Sequence, residues 1–384
     1  MKNVFLLSAL AAASLQSAQA VDIKAGDWTV SVGGIVNAYY TAVSCSGDAV
    51  GGLALGDKGL GCGGQGNRTT IGNGLLPNGL VTSAATSQGG YDVKALIGIY
   101  NSTATDSAIG NNSLVDVRQA YFTFGNANMG TIKMGRDYGI FGANAILSDM
   151  TLLGAGAPVQ ATQRGRVTLG HIGAGYTYLG NYGQMTYSTP KAASGIGFDI
   201  GLMSPVADTP ILSAPVYTSK SSPQLQVQAT FTQQGFKGWL GAKSQKFTSV
   251  TPGVNDFTMT GVELGGSLTA GATSLLLNAQ SGKGLGILSD ADQRDTKSQN
   301  YLAQGTFKTS EKLKLGASYG ISKNDDNTVG TGGLKSNANL TLGGYYSLNS
   351  LITLVGEVGQ TRSKSFSGLS TRMNGVALGG IIFF

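Results

Sequence analysis

His171 is the only histidine in this 384-residue chain, and it is the first residue to test for chemistry, because acyl transfer by a serine normally needs an adjacent general base. One Gly-x-Ser-x-Gly match exists, GASYG (Gly316 to Gly320), but it sits inside an alternating strand pattern rather than on a strand-to-helix turn. His171 also precedes it, where the partner histidine of a nucleophile elbow should follow, so His171 reads as a loop or rim residue. The run GLGCGGQG (59 to 66) has the glycine spacing of a nucleotide fingerprint without the strand, helix and acidic residue that give that spacing meaning. GKG (282 to 284) lacks the following Ser or Thr of a phosphate loop. SDADQRDT (289 to 296) gathers Asp290, Asp292 and Asp295, but Arg294 takes the place where a calcium loop needs another oxygen, which favours a solvated loop. No catalytic group, metal site or cofactor site emerges. Cys45 and Cys62 lie in a glycine-rich stretch with no metal-ligand partners nearby, and in an exported chain they read as one loop disulfide.

The elements that would carry these residues are strands. In QLQVQATF (Gln224 to Phe231) the residues at even positions are Gln, Gln, Gln and Thr, and those at odd positions are Leu, Val, Ala and Phe. An extended chain turns successive side chains to opposite faces, so this octet has one polar and one apolar face. KLKLGASYGI (312 to 321) and NANLTLGGYYSL (337 to 348) repeat the pattern. A soluble sandwich and a membrane barrel both fit such alternation, and the ends of the chain favour the barrel. Lys2, the apolar run VFLLSALAAASL and the site Ala18-Gln19-Ala20 form a secretory signal over residues 1–20, which makes Val21 the expected mature start. At the other end TRMNGVALGGIIFF places Val376, Leu378, Ile382 and Phe384 on one face and stops on an aromatic residue.

Short turns such as QGGY (88 to 91) and QGFKG (234 to 238) alternate with long polar loops over 42–76, 103–116, 139–173, 206–222, 284–298 and 324–335. Short turns on one rim and long loops on the other are the organisation of an outer-membrane barrel, here of about sixteen antiparallel strands over residues 21–384. The composition of 60 Gly, 8 Pro and 12% charged residues disfavours a helical enzyme, and the net charge of +6 is too spread for a nucleic-acid surface.

VRQAYFTFGNANMGTIKMGRDYG (117 to 139), YGQMTYSTPKAASGIGFDIGLMSP (182 to 205), VSVGGIVNAYY (30 to 40) and the terminal Phe384 resemble the general porins of Gram-negative bacteria, in particular the neisserial and related proteobacterial type. That resemblance implies a trimer in the outer membrane, surrounded by lipid and lipopolysaccharide, with a third long loop folded inward to narrow each pore. Gly139 to Gly173 occupies the place of that loop. The function implied is passive diffusion of small hydrophilic solutes and ions. A substrate-specific channel and a non-conducting adhesin or structural barrel are the alternatives.

The residues expected to set the field at the constriction are Lys133, Asp137, Asp149, Arg164 and Arg166, with Arg118 and Arg136 beside them. Arg118 matches a pore-wall arginine of the family, yet it shares strand parity with Ala120, Phe122 and Phe124. Arg136 shares parity with Ile132 and Met134 and reaches the lumen only if its strand bulges. The second strand (75 to 87) and the strand over 179–188 lack the basic residues usual in the family, and Asp149 is the only carboxylate of the inward loop. A modest basic excess then implies a weak preference for anions.

Overall fold

The structure is a computed structural model that describes residues 20–50, 67–104, 115–157, 168–208, 216–219, 222–326 and 333–384. In chain order its strands are β1 (Val21–Ala25), β2 (Trp28–Gly47), β3 (Arg68–Gly72), β4 (Asn78–Gln88), β5 (Tyr91–Asn101), β6 (Asp116–Asn126) and β7 (Gly130–Tyr138). They continue as β8 (Asn181–Ser188), β9 (Ile196–Met203), β10 (Tyr217–Thr218), β11 (Gln224–Gln233), β12 (Phe236–Ser249) and β13 (Phe257–Ala270). The series ends with β14 (Thr273–Lys283), β15 (Lys297–Lys308), β16 (Leu313–Asn324), β17 (Leu334–Ser347), β18 (Ile352–Ser365) and β19 (Ser370–Phe383). Neighbours pair antiparallel and the sheet closes where β19 pairs with β2, from Thr371 opposite Gly47 to Phe383 opposite Ile35. The barrel has 16 strands, because β3 and β4 share one place in the circuit, β1 lies along β2 beyond the end of β19, and β10 belongs to a loop. Closure leaves no edge whose backbone groups would face hydrocarbon unpaired.

The alternating pattern decides which way each face turns. Gln224, Gln226 and Gln228 of β11 are buried inside, while Leu225 is 41% exposed on the outer wall. Leu264 at the middle of β13 and Leu277 of β14 are 65% and 66% exposed. Such exposure of leucine is costly in water and neutral in acyl chains, so the outer wall is a lipid surface. Among the described residues no helix is long and apolar enough to cross a membrane, and crossing falls to the strands.

The connections alternate as expected. Residues 89–90, 234–235 and 271–272 turn at one rim, and the longer connections after β5, β7, β9 and β14 leave from the other. Gly89 and Gly90 take φ of 59° and 84°, the left-handed values that a two-residue hairpin needs and that a side chain would strain. Outward aromatics gather near the short-turn rim, among them Trp28, Tyr91, Phe236, Phe307 and Phe384, which is where an interfacial girdle belongs.

Leu264→Arg places a charge at mid-wall and should cost about 2–4 kcal/mol of folding free energy in a bilayer. Urea unfolding in lipid vesicles reads this out, and an unperturbed midpoint would contradict the outward placement of that face.

Candidate pore constriction

The loop between β7 and β8 enters the lumen, as the resemblance implied, carrying one short helix α1 (Ala143–Ser148) and a 3₁₀ turn over Met150–Leu153. A chain segment crossing the lumen has no strand partner, so its backbone donors must find acceptors elsewhere. The inner wall supplies them. Gln226 Oε1 accepts from the amides of Ile140 (2.7 Å) and Phe141 (2.9 Å), and Glu263 Oε2 accepts from Gly142 (3.0 Å). Gln304 Oε1 accepts from Met150 (2.6 Å), and Glu357 Oε2 from Ala155 (2.8 Å) and Gly156 (2.7 Å). Ser322 Oγ accepts from Gly175 (3.1 Å) and Gln280 Oε1 from Thr177 (2.9 Å). The loop is thus tied to β11, β13, β14, β15, β16 and β18.

The loop also braces itself. Asp149 accepts from the Tyr176 hydroxyl (2.7 Å) and the Thr151 amide (2.9 Å) and lies 3.2 Å from His171 Nδ1. Burial works against the Asp149 charge, but His171, Tyr176 and the Thr151 amide outweigh it and hold the carboxyl below its usual range. His171 Nε2 lies 3.3 Å from the Ser318 hydroxyl of GASYG. His171 is therefore not the loop or rim residue expected from sequence but a buried link between loop and wall. Asp149, His171 and Ser318 line up in the order of a hydrolase triad, yet His171 is 0% and Ser318 2% exposed. The glycines of GASYG serve close approach, since a Cβ at Gly320 would collide with the carbonyl oxygen of Ala174.

On the opposite side of the loop a cleft of about 70 Å³ remains, lined by Leu75, Leu76, Pro77, Arg118, Tyr138, Ile146, Leu147, Leu152, Ile172, Tyr178 and Leu179. Two strand irregularities build it. The circuit of β3 and β4 breaks at 73–77, where Asn37 holds the Gly74 amide (2.8 Å) and the Leu76 carbonyl (3.1 Å), and the Leu75 amide donates to Gly154 O at 3.0 Å. Against β5, β6 carries one extra residue, because Gly98 faces Gln119 and Tyr100 faces Asp116. That bulge frees Arg118 from the outward parity of Phe122 and Phe124, and its Nη1 reaches the Tyr178 hydroxyl of the loop at 3.4 Å. Its Nε is bonded to Asp116 at 2.6 Å.

The other expected constriction residues part company. Lys133 and Asp137 face inward, bonded to each other at 2.5 Å, with Gln119 donating to Asp137 at 2.9 Å, so their charges largely cancel. Arg136 corrects the expectation: β7 pairs with β6 and β8 without a register shift, and Arg136 stays exposed on the outer face with Ile132 and Met134. Asp149 is spent inside the loop. Arg164, Arg166 and Cys62 fall outside the described residues, and the expected bond between Cys45 and Cys62 falls outside them too. The cluster at 289–296 is also not the solvated loop expected. Asp290 is buried, bonded to Lys243 and accepting from Tyr182 (2.9 Å) and Gln224 (2.9 Å). Asp292 accepts from the Ile287 and Leu288 amides, both at 3.0 Å, and burial pushes it up to about 7. The described residues hold no group of three or more side chains able to bind a metal.

Sequence reasoning missed a set of inward lysines on the short-turn side of the loop. Lys94 of β5 and Lys314 of β16 face the lumen half-buried, the latter 4.9 Å above the Tyr345 ring. Lys237 of β12 donates to the Asn144 side chain of α1 at 2.5 Å. Asp199 of β9 lies close enough to Lys237 to act on its charge. Strand parity was the signal, since Lys94 alternates with Val93 and Ala95, and Lys237 with Phe236.

A closed barrel with a lipid-facing outer wall, a polar inner wall and a loop narrowing its lumen defines an outer-membrane channel. The model of the Gram-negative porin family matches residues 6–365, and the chain belongs to that family of passive diffusion channels. Its fold is similar to the outer membrane channel DcaP of Acinetobacter baumannii, with TM-score 0.70 at 17% identity over 94% of this chain and 99% of that one. It is also similar to an anion-selective porin from Comamonas acidovorans (TM-score 0.66, 16% identity, 93% and 100% covered). A third similar structure is OmpT of Vibrio cholerae in a trimer form (TM-score 0.54, 14% identity, 93% and 99% covered). No curated protein matches the chain in sequence.

His171→Ala leaves the buried Asp149 with only its Tyr176 and Thr151 hydrogen bonds and should cost about 3 kcal/mol, read as a lower melting temperature of the folded barrel. The depressed Asp149 carboxyl contributes stability that is present above the unfolded value of about 4 and is lost as pH falls through its lower folded value. Open-channel noise should therefore stay constant from pH 7 to about 4 and rise below it; noise that rises between pH 7 and 5 would contradict this.

Proposed function

We propose that the channel prefers anions and that the inward lysines on the short-turn side of the loop set the preference. The observation that carries this is pairing: among the described residues the inward Lys94, Lys237 and Lys314 form no ion pair within 4 Å, whereas Lys133 and Lys243 are bonded to Asp137 and Asp290. A low-dielectric wall focuses such a field along the bore, raising the local concentration of anions and lowering that of cations. Solutes move down their gradients, with no covalent step and no turnover. The similar Comamonas porin, itself anion-selective, agrees in sign.

Three finer readings accompany this. The trimer form of the Vibrio protein supports a homotrimer here. Export with removal of residues 1–20 agrees with the strand pairing, in which Val21 faces Val32 while Phe384 bonds Gly34 in both directions (2.7 and 3.1 Å), so both ends of the mature chain meet on β2. The outer wall would sit among outer-membrane lipid and lipopolysaccharide.

In planar bilayers the protein should give ohmic steps in salt. A total lack of conductance would instead favour a blocked structural barrel. Replacing Lys94, Lys237 and Lys314 together by Gln should move the zero-current potential in a KCl gradient towards the value for an unselective pore. An unchanged potential would remove these lysines from the account. Arg164 with Arg166 forms a separate pair to neutralise in the same assay.

A further inference from the structure

The cleft that remains beside the loop has the wrong chemistry for a general sieve of hydrated ions. Its lining is hydrocarbon from the break in the second strand (Leu75, Leu76), from α1 (Leu147) and from the end of the loop (Leu179), interrupted by Arg118 and the tyrosines 138 and 178. We infer that this cleft selects small organic anions with an apolar body, namely carboxylates or sulfonates carried on an aromatic ring or branched hydrocarbon. The inference deepens the channel reading above and rests on it.

Arg118 supplies the anion contact. A guanidinium has five donors in a rigid fork, and here Nε is bonded to Asp116, whose carboxylate offsets part of the charge, and Nη1 to Tyr178, which leaves the other donors to hold a planar acid group by directed hydrogen bonds. Against apolar walls such a contact is less screened than in open water. The Leu side chains act on the rest of the solute. An inorganic anion entering the cleft would lose hydration against Leu76 and Leu147 and gain only the Arg118 contact, whereas a hydrocarbon body trades water for acyl-like walls. A sugar would leave most of its hydroxyls unpaired, because the polar side chains of the lining are only Arg118 and two phenols.

Benzoate and acetate share the acid group and differ in the body, so they serve as paired probes. In chloride-conducting bilayers benzoate should reduce the chloride current at concentrations at least tenfold lower than acetate. Arg118→Gln should weaken the benzoate effect at least tenfold, and Arg118→Lys should recover part of it. Leu147→Asn should erase the advantage of benzoate over acetate. Chloride steps with benzoate and acetate acting alike, or a benzoate effect untouched by Arg118→Gln and Leu147→Asn, would overturn the inference while leaving the channel intact. A wild-type protein with no chloride steps would overturn the channel reading and this inference together.

Discussion

The inward course of residues 139–157 and 168–180 depends on one requirement, that backbone donors crossing the lumen find acceptors. The inner wall meets it with side chains long enough to reach the bore: Gln226, Glu263, Gln280, Gln304 and Glu357 each take loop amides. These residues occupy one face of their strands only because their neighbours, such as Leu225, Leu264 and Val358, have lipid to face. The same alternation therefore fixes the barrel in the membrane and holds the loop inside it. An inner wall of serines would give the barrel and lose the constriction.

Where the wall departs from regularity, the lumen acquires its character. The break at 73–77 turns apolar residues inward from a circuit position that otherwise alternates, and the extra residue in β6 brings a guanidinium to the loop. Both meet the loop, the break through the Leu75 amide on Gly154 and the bulge through Arg118 on Tyr178. Bulges and interrupted strands re-aim side chains in this way at functional sites. Charge is arranged differently: the pairs Lys133 with Asp137 and Lys243 with Asp290 fasten structure, while Lys94, Lys237 and Lys314 remain to shape the potential of the bore.

Much of this is legible from period and punctuation. Strand count, closure and the alternation of turns and loops follow from residues such as those of QLQVQATF and QGGY, because strand geometry converts sequence parity into inside and outside, whereas the inward loop is implied only by the resemblance to porins. Parity also places Lys133 and Asp137 in the lumen and Arg136 outside it. It fails for Arg118, whose position depends on a bulge set by pairing between β5 and β6, a relation between distant residues. Local sequence gives no reason to join His171 and Ser318, which lie 147 residues apart, and their contact arises only when the loop meets β16. The apolar cleft is illegible for the same reason: Leu75 and Leu76 read as the start of a strand, and Asn37, on the preceding strand, is what turns them inward.

Placement of the loop against the wall is the claim on which the constriction, the cleft and the brace all stand, and cross-linking tests it directly. Asn144 Nδ2 of α1 lies 2.7 Å from Gln228 Oε1 of β11. With Cys45 and Cys62 replaced by Ser, cysteines at 144 and 228 in the bilayer-folded protein should be joined in high yield by a short bifunctional thiol reagent, with ohmic chloride steps persisting after the link forms. No internal link under conditions that label both thiols would mean that the loop lies elsewhere, and the account of the lumen would fail.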